Sequence, residues 1–293
     1  MENKIENYAQ KNNSEILLTE EDKRRYNRQM LLSEIGEQGQ IKLKSSKVIV
    51  IGAGGLGSSC LMHLAGTGIG TICIIDNDNV DMCNLHRQII HNMNNVGMNK
   101  ALSAKKFMNS LNPSINVIAI ADSFNNKNSI DLCKNYDLII DCCDNPKTRY
   151  LINDTAVLLN KPLISAACLR WDGQIGVYVK NCKGDKLPCY RCLNSIAPPK
   201  GSVKKCCDVG VIGTLPAIMG TLEANEAIKF ILGKDDQILQ RKIILFDGCD
   251  NRIKVMKTRN FQENCVVCGK NPQINSKNIS EYNYDSFING ENK

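Results

Sequence analysis

The chain has 293 residues, of which 43% are hydrophobic and 23% charged, and its formal net charge is +7. This balance excludes collagen-like, low-complexity and wholly disordered chains, and no run of 18 apolar residues could span a bilayer. The polar N-terminus lacks the apolar core of a secretory signal peptide and the lysines are scattered. We therefore expect a cytoplasmic protein that binds neither membranes nor nucleic acid.

In chain order, a polar arm over residues 1–24, expected to be disordered, precedes short helical pieces over 25–44. Apolar strands alternate with helical stretches from there on, which predicts an α/β fold with a doubly wound, Rossmann-like and mostly parallel sheet. The predicted strands are 47–51, 71–76, 115–121, 137–141, 162–168 and 173–179. Four longer helices are predicted: one after the glycines at 52–57, one over about 99–109, one that starts at Pro146, and one over about 214–232 that ends before Gly233.

The second half is less regular. Residues 181–210 are expected to form a long irregular loop, and residues 242–257 a hairpin. The tail over residues 270–293 is rich in Asn, Lys and Ser and is predicted to be disordered.

The first motif is a G-x-G-x-x-G sequence at Gly52, Gly54 and Gly57, between a strand and a helix. Small residues let the backbone approach a phosphate, and the helix N-terminus offers free N–H groups to the anion. Asp76 ends the next strand, at the distance from which an acid binds ribose hydroxyls. The motif alone indicates an adenine nucleotide, and it leaves open a ligand-free tight turn or an NAD-dependent oxidoreductase.

Two CxxC pairs form the second motif, Cys189 with Cys192 and Cys265 with Cys268. Fifteen cysteines cannot all pair within one chain, and four thiolates fit a tetrahedral zinc site with no open position. The pattern predicts a structural Zn²⁺, with two unrelated pairs or a redox couple as the alternatives.

Polar residues of a third cluster follow Asp76: Asp78, Asn84, Arg87, Gln88 and Lys100. Cations that converge on a nucleotide neutralise phosphates, which favours phosphoryl chemistry over hydride transfer. Asp144 and Asn145 follow the strand that ends at Asp141, where a carboxylate could bind Mg²⁺, although such a pair alone is typical of a turn. Cys206, next to Cys207 and before Asp208, follows two lysines that could lower its thiol pKa.

Together these residues resemble the MoeB/ThiF/HesA family of ubiquitin-activating-enzyme-like adenylyltransferases, with MoeB and the adenylyltransferase half of eukaryotic molybdopterin synthase sulfurtransferase most similar. The resemblance covers residues 25–269, which would form one adenylation domain. Its pieces are R-Y-N-R-Q (25–29), G-A-G-G-L-G (52–57), I-D-N-D (75–78), N-L-H-R-Q (84–88), Lys100, D-C-C-D-N (141–145), P-C-Y-R-C (188–192), C-x-x-x-G-V (206–211) and C-x-x-C-G (265–269).

The resemblance implies ATP- and Mg²⁺-dependent adenylation of the C-terminal glycine of a small ubiquitin-like or sulfur-carrier protein. It places Gly55 against the phosphates, Asp76 on the ribose and Asp144 on the metal. It further implies phosphate contacts by Arg87 and Lys100, with Asn84 beside them and Asn145 next to the nucleotide.

It also implies a homodimer, because Arg28 matches the arginine that reaches into the partner's pocket. Cys206 matches a cysteine that takes part in acyl or sulfur transfer. Only 24 residues follow Gly269, too few for the rhodanese domain of eukaryotic relatives, so we expect either a separate sulfurtransferase or a chain that is a fragment of a longer protein.

Three other hypotheses remain. An NAD(P) oxidoreductase explains the glycines and Asp76 but not Arg28, Lys100 or Asp144. A catalytically silent subunit of a heterodimeric activating enzyme conflicts with the intact nucleotide positions. A relative that adenylates a carboxylate on tRNA conflicts with the CxxC pairs and R-Y-N-R-Q. The pathway, whether molybdopterin, thiamine or tRNA thiolation, is left open by the sequence.

Overall fold

A computed structural model describes residues 17–178, 181–182, 185–197 and 209–290. The strands are β1 (Lys47–Ile51), β2 (Thr71–Ile75), β3 (Asn116–Ile120), β4 (Leu138–Asp141), β5 (Leu163–Leu169), β6 (Asp172–Tyr178), β7 (Asn181–Cys182), β8 (Asp185–Lys186), β9 (Lys242–Asp247) and β10 (Arg252–Lys257). The helices are α1 (Glu20–Met30), α2 (Gly36–Ser45), α3 (Gly55–Thr67), α4 (Lys100–Leu111), α5 (Ser129–Cys133), α6 (Pro146–Leu158), α7 (Tyr190–Leu193), α8 (Thr214–Ile231) and α9 (Tyr284–Ile288).

Eight strands form one sheet in the order β10-β9-β6-β5-β4-β1-β2-β3. The first five strands run parallel, and β6, β9 and β10 extend the sheet with antiparallel pairs. Strand β1 shows why its residues form a central strand, since Val48 and Val50 pack into one core and Ile49 and Ile51 into the core on the other face. The predicted Rossmann-like α/β sheet is confirmed, and so is the hairpin, formed by β9 and β10.

The helices cover both faces of the sheet, with α3, α4 and α8 contributing to one core and α6 to the other. Helix α8 ends as predicted, because Gly233 follows it with φ of 75°, a conformation that a glycine adopts without strain. No helix among the described residues is long and apolar enough to cross a bilayer.

The prediction of a disordered arm over residues 1–24 is wrong for its last residues, because α1 begins at Glu20. Thr19 caps this helix reciprocally with Asp22, whose buried carboxylate also pairs with Lys44 of α2. Helix α1 is therefore fixed to α2, and residues 1–16 lie outside the described part of the chain.

The predicted disordered tail is wrong for residues 270–290. Ile274, Ile279 and Tyr284 are buried in a third core together with three of the four CxxC cysteines. Apolar side chains spaced among the polar residues supply enough buried surface to order the segment, which its average composition does not reveal.

A tight turn joins β5 to β6 at Arg170, where φ is 55°. Trp171 lies in this turn with 44% of its surface exposed, and its carbonyl accepts a hydrogen bond from the N–H of Gly248 at 2.7 Å. Leu169 and Asp172 on either side of the turn line the cleft described next.

Candidate functional site

A cleft of about 1280 Å³ opens at the carboxyl ends of the parallel strands, where ligands bind in doubly wound sheets. Most of the predicted site residues line it. These are Gly52, Gly54, Gly55, Asp76, Asp78, Arg87, Gln88, Lys100, Asp144 and Asn145. Asn84 and Gly57 lie just outside the lining.

Steric limits fix the glycine loop between β1 and α3. Gly52 has φ of 103°, and a Cβ there would lie 2.6 Å from the carbonyl oxygen of Cys142. A Cβ on Gly57 would lie 2.2 Å from the carbonyl oxygen of Gly52. No side chain in the described part of the chain caps α3, so the first N–H groups of the helix are left for an anion in the cleft.

Both polar groups of the Ala53 backbone in this loop are held by side chains. The carboxylate of Asp76 accepts the N–H of Ala53 at 2.7 Å and that of Asp78 at 2.8 Å. On the other side, Nε2 of His91 lies 2.9 Å from the Ala53 carbonyl and Nδ1 lies 2.9 Å from Oγ of Ser103. Because a carbonyl only accepts, Nε2 carries the proton, and burial lowers the pKa of His91 so that the neutral ring is favoured.

Two cations flank the loop. Nζ of Lys100, at the start of α4, is nearly buried and lies 2.8 Å from the Asp78 carboxylate. Nη2 of Arg87 donates to Oδ1 of Asn84 at 2.7 Å, which orients the guanidinium. The arrangement places positive charge beside the free N-terminus of α3, as an anionic ligand requires.

The loop after β4 rests on a buried ion pair. Oδ2 of Asp141 accepts from Nε of Arg149 at 3.0 Å and from the hydroxyl of Ser165 at 2.7 Å. Arg149 also donates to the carbonyl of Cys143, and this contact fixes the loop from which the exposed side chain of Asp144 enters the cleft. Asn145 caps α6 by accepting from the N–H of Thr148 at 2.8 Å.

Cys60, Cys142 and Glu223 form a fully buried cluster beneath the loop, and Cys142 donates to Glu223 at 3.3 Å. Desolvation raises the pKa of Glu223 well above its ordinary range and raises those of both thiols. Burial therefore favours the neutral form of all three groups, and the described residues bring no fourth ligand to them.

The two CxxC pairs come together in a second place, away from the cleft. Four Sγ–Sγ distances lie between 3.4 and 3.9 Å: Cys189–Cys192, Cys189–Cys265, Cys192–Cys268 and Cys189–Cys268. A tetrahedral zinc with Zn–S bonds of about 2.3 Å places its sulfurs about 3.8 Å apart. The cluster is thus compatible with a zinc site, as predicted.

Residues 26–267 match the ThiF family. The chain belongs to the ThiF family. The mosquito Culex quinquefasciatus has a relative named adenylyltransferase and sulfurtransferase MOCS3, 43% identical over 263 residues, which cover 90% of this chain and 57% of that protein. Adenylyltransferase and sulfurtransferase uba4 of Emericella nidulans is 41% identical over 94% of this chain and 59% of its own length. The chain therefore spans a little over half the length of these relatives.

Solved structures give the same picture. The crystal structure of Escherichia coli MccB with AMPCPP and MccA has a TM-score of 0.74 and 27% identity, over 86% of this chain and 75% of that chain. MccB with ATP gives a TM-score of 0.70 and 27% identity, over 84% and 73%. The resemblance found from the motifs is confirmed.

Of the two remaining predicted site residues, the structure describes Arg28 but not Cys206. Arg28 is exposed on α1 and does not line the cleft of its own chain. Cys206 lies outside the described residues, as do Cys207 and Asp208.

The sequence did not indicate a role for His91, which holds the Ala53 carbonyl, or for Arg149 and residues 281–285, which line the cleft. His91 and Arg149 act through partners that only the fold brings near. The even spacing of Ile274, Ile279 and Tyr284 was the available signal for the C-terminal residues.

Proposed function

We propose that the chain adenylates the C-terminal glycine carboxylate of a small ubiquitin-like or sulfur-carrier protein with ATP. One observation carries the proposal. A single cleft is lined by the uncapped start of α3, by Arg87 and Lys100, and by the exposed carboxylate of Asp144. Backbone N–H groups and cationic side chains both bind phosphate, and a carboxylate suits Mg²⁺, so the cleft fits a nucleoside triphosphate.

Each group has a role in this scheme. Gly52, Gly54, Gly55 and the α3 N-terminus receive the phosphates, and Asp76 receives the ribose hydroxyls. Arg87, oriented by Asn84, and Lys100 neutralise phosphate charge. Asp144 would hold Mg²⁺, which when bound supplies further charge neutralisation on the phosphate oxygens. Gln88 and Asn145 border the nucleotide.

The reaction needs no proton transfer at its first step. An ionised glycine carboxylate attacks the α-phosphorus, the bond to the β-phosphate oxygen breaks, and pyrophosphate leaves with the electron pair. Catalysis of such a step depends on positioning and charge neutralisation, which fixed cations and backbone N–H groups supply. The cleft has that composition.

The relatives support the same assignment. Those from Culex and Emericella are named adenylyltransferases, and the MccB structures hold ATP or AMPCPP. An oxidoreductase is less well supported, since it gives Lys100 and Asp144 no task. A silent subunit is less well supported too, because the described nucleotide positions are complete.

Further parts of the proposal concern metals, partners and assembly. We infer one structural Zn²⁺ on Cys189, Cys192, Cys265 and Cys268. We also infer a homodimer in which Arg28 serves the partner's cleft, in keeping with its exposure outside its own. Cys206 stays a prediction for a later acyl- or sulfur-transfer step.

ATP–pyrophosphate exchange tests the proposal. We expect exchange in the presence of a carrier that ends in Gly-Gly, and none with the same carrier lacking its last glycine. Binding of NAD⁺ in place of ATP, measured by calorimetry, would contradict the proposed function.

A further inference from the structure

Residues 280–285, here called the C-terminal segment, run along the cleft. Five of them line it, on the side of the loop that follows β3. We propose that the C-terminal segment is the outer wall of the subsite for the nucleotide base and that it sets the affinity for ATP. This inference rests on the function proposed above.

The order of the strands identifies this end of the cleft. The glycine loop follows β1, Asp76 follows the neighbouring β2, and Ser123–Asn126 follow β3, the next strand along. In nucleotide-binding sheets the phosphates lie on the first loop and the ribose on the acid after the second strand. The base therefore extends beyond Asp76, toward the residues after β3 and the C-terminal segment that faces them.

Hydrogen bonds hold the segment against both sides of that end. Nδ2 of Asn126 donates to the carbonyl of Ser280 at 2.7 Å. Nζ of Lys147, the second residue of α6, lies 2.7 Å from the carboxylate of Asp285 at the rim. The segment thus spans from the β3 loop to the start of α6 and closes the outer side of the cleft.

A buried ion pair anchors the segment from below. The Tyr284 hydroxyl donates to the Asp154 carboxylate at 2.9 Å, and Arg191 donates to both oxygens of that carboxylate at 2.7 and 2.8 Å. Burial lowers the pKa of Arg191, but its bonds to Asp154 more than offset this and keep the guanidinium charged. A buried charge pair tolerates little displacement, because each charge depends on its partner.

Aromatic rings complete the anchor. The guanidinium carbon of Arg191 lies 4.4 Å from the ring centroid of Phe287 and 4.8 Å from that of Tyr150. Arg191 stands between Cys189 and Cys192 in the chain, so the cysteine cluster and the segment share one support.

The surfaces on the two sides suit a purine. Amides of Asn125 and Asn283 and the rings of Phe124 and Tyr282 line this end of the cleft. Oδ1 of each amide already accepts a backbone N–H, from Lys127 on Asn125 and from Ser286 on Asn283. The amides therefore offer Nδ2 donors to a base edge, and the rings offer stacking surfaces. The ligand class of the subsite is therefore a purine base, with the wall closing over it.

A charge swap at the rim tests the wall without disturbing the core. Asp285→Lys places like charges opposite each other, and we expect it to weaken MgATP binding about fivefold in calorimetry. Binding of magnesium tripolyphosphate, which has no base, should not change. The double variant Lys147→Glu with Asp285→Lys restores the pair and should restore ATP affinity to within about twofold.

The matched control is Asp131→Lys on α5. Asp131 pairs with Lys134 at 2.8 Å, and this ion pair lies outside the cleft. The side chains of Lys134 and Lys147 are equally exposed, at 51% each, so the two ion pairs are comparable. We expect no change in ATP affinity there. Three results would each overturn the proposal that the C-terminal segment forms a wall of the base subsite. These are unchanged ATP binding in Asp285→Lys, equal losses of affinity for ATP and tripolyphosphate, and no recovery of ATP affinity in the double variant. Wild-type protein that binds no ATP would instead refute the proposed function.

Discussion

Glu223 shows how one buried carboxyl group shapes stability. Its Oε1 atom has no hydrogen-bond partner among the described residues. Burial raises the pKa of this carboxyl group, the hydrogen bond from Cys142 lowers it, the charge of Asp141 raises it and that of Arg149 lowers it. Between the ordinary pKa of about 4.3 and the raised pKa of the folded state, this carboxyl group keeps a proton in the folded chain that it loses on unfolding, so folding stability falls as pH rises.

We expect Glu223→Gln to remove this slope. The free energy of unfolding of the variant, relative to wild type, should increase from pH 5 to pH 8 by up to about 1.4 kcal/mol per pH unit. Urea unfolding at several pH values measures it, with the exposed Glu20→Gln as the control. Parallel pH profiles for wild type and Glu223→Gln would contradict the assignment.

Asp144 is the residue on which the metal part of the proposal depends. Its side chain is exposed and makes no hydrogen bond or ion pair with the described residues, so Asp144→Ala should leave the melting temperature within about 1 °C. Pyrophosphate exchange should nevertheless be lost, because phosphate charge is no longer neutralised there. Exchange at the wild-type rate in a folded Asp144→Ala protein would exclude Asp144 as the magnesium ligand.

At the scale of elements, the cysteine cluster joins two distant parts of the chain. It brings α7 to the loop after β10, and the C-terminal residues pack on both. The zinc proposed there would contribute its binding free energy to folding.

We therefore expect Cys268→Ser to lose its metal and to destabilise the protein. Loss of about 2 kcal/mol would lower the melting temperature by about 4 to 8 °C. Elemental analysis should find one zinc per wild-type chain and less in the variant. Cys249→Ser, at an exposed free cysteine, is the control. Metal-free wild-type protein purified without chelators would refute the site.

Particular elements show how far the sequence could predict the fold. Strand β1 and the glycines after it were predictable, because continuous apolar character and required backbone geometry are local properties. Arg149 was not, since its partner Asp141 becomes adjacent only when β4 and α6 pack. The C-terminal segment was predictable only in part, because the spacing of Ile274, Ile279 and Tyr284 indicates a buried face but its anchor Arg191 lies more than 80 residues earlier in the chain.

At the scale of the whole molecule, Arg28 raises the question of assembly. If it acts in the partner's cleft, inactive Arg28→Ala and Asp144→Ala proteins complement each other. Random exchange makes half of the dimers mixed, and each mixed dimer has one intact site, so about a quarter of wild-type exchange should return. If Arg28 acts in its own chain, the mixed dimers recover no pyrophosphate exchange. If Arg28 has only a surface role, the Arg28→Ala protein is active by itself.

The turn between β5 and β6 has a spectroscopic consequence. Trp171 is the only tryptophan of the chain, it is nearly half exposed, and it lies between two residues that line the cleft. The indole emission of the unlabelled protein therefore comes from one point beside the cleft. A protein that docks over the turn would exclude water from the ring and shift that emission to shorter wavelength. Fluorescence of the native chain would thus report the docking of the proposed carrier in real time, with nucleotide alone as the reference titration.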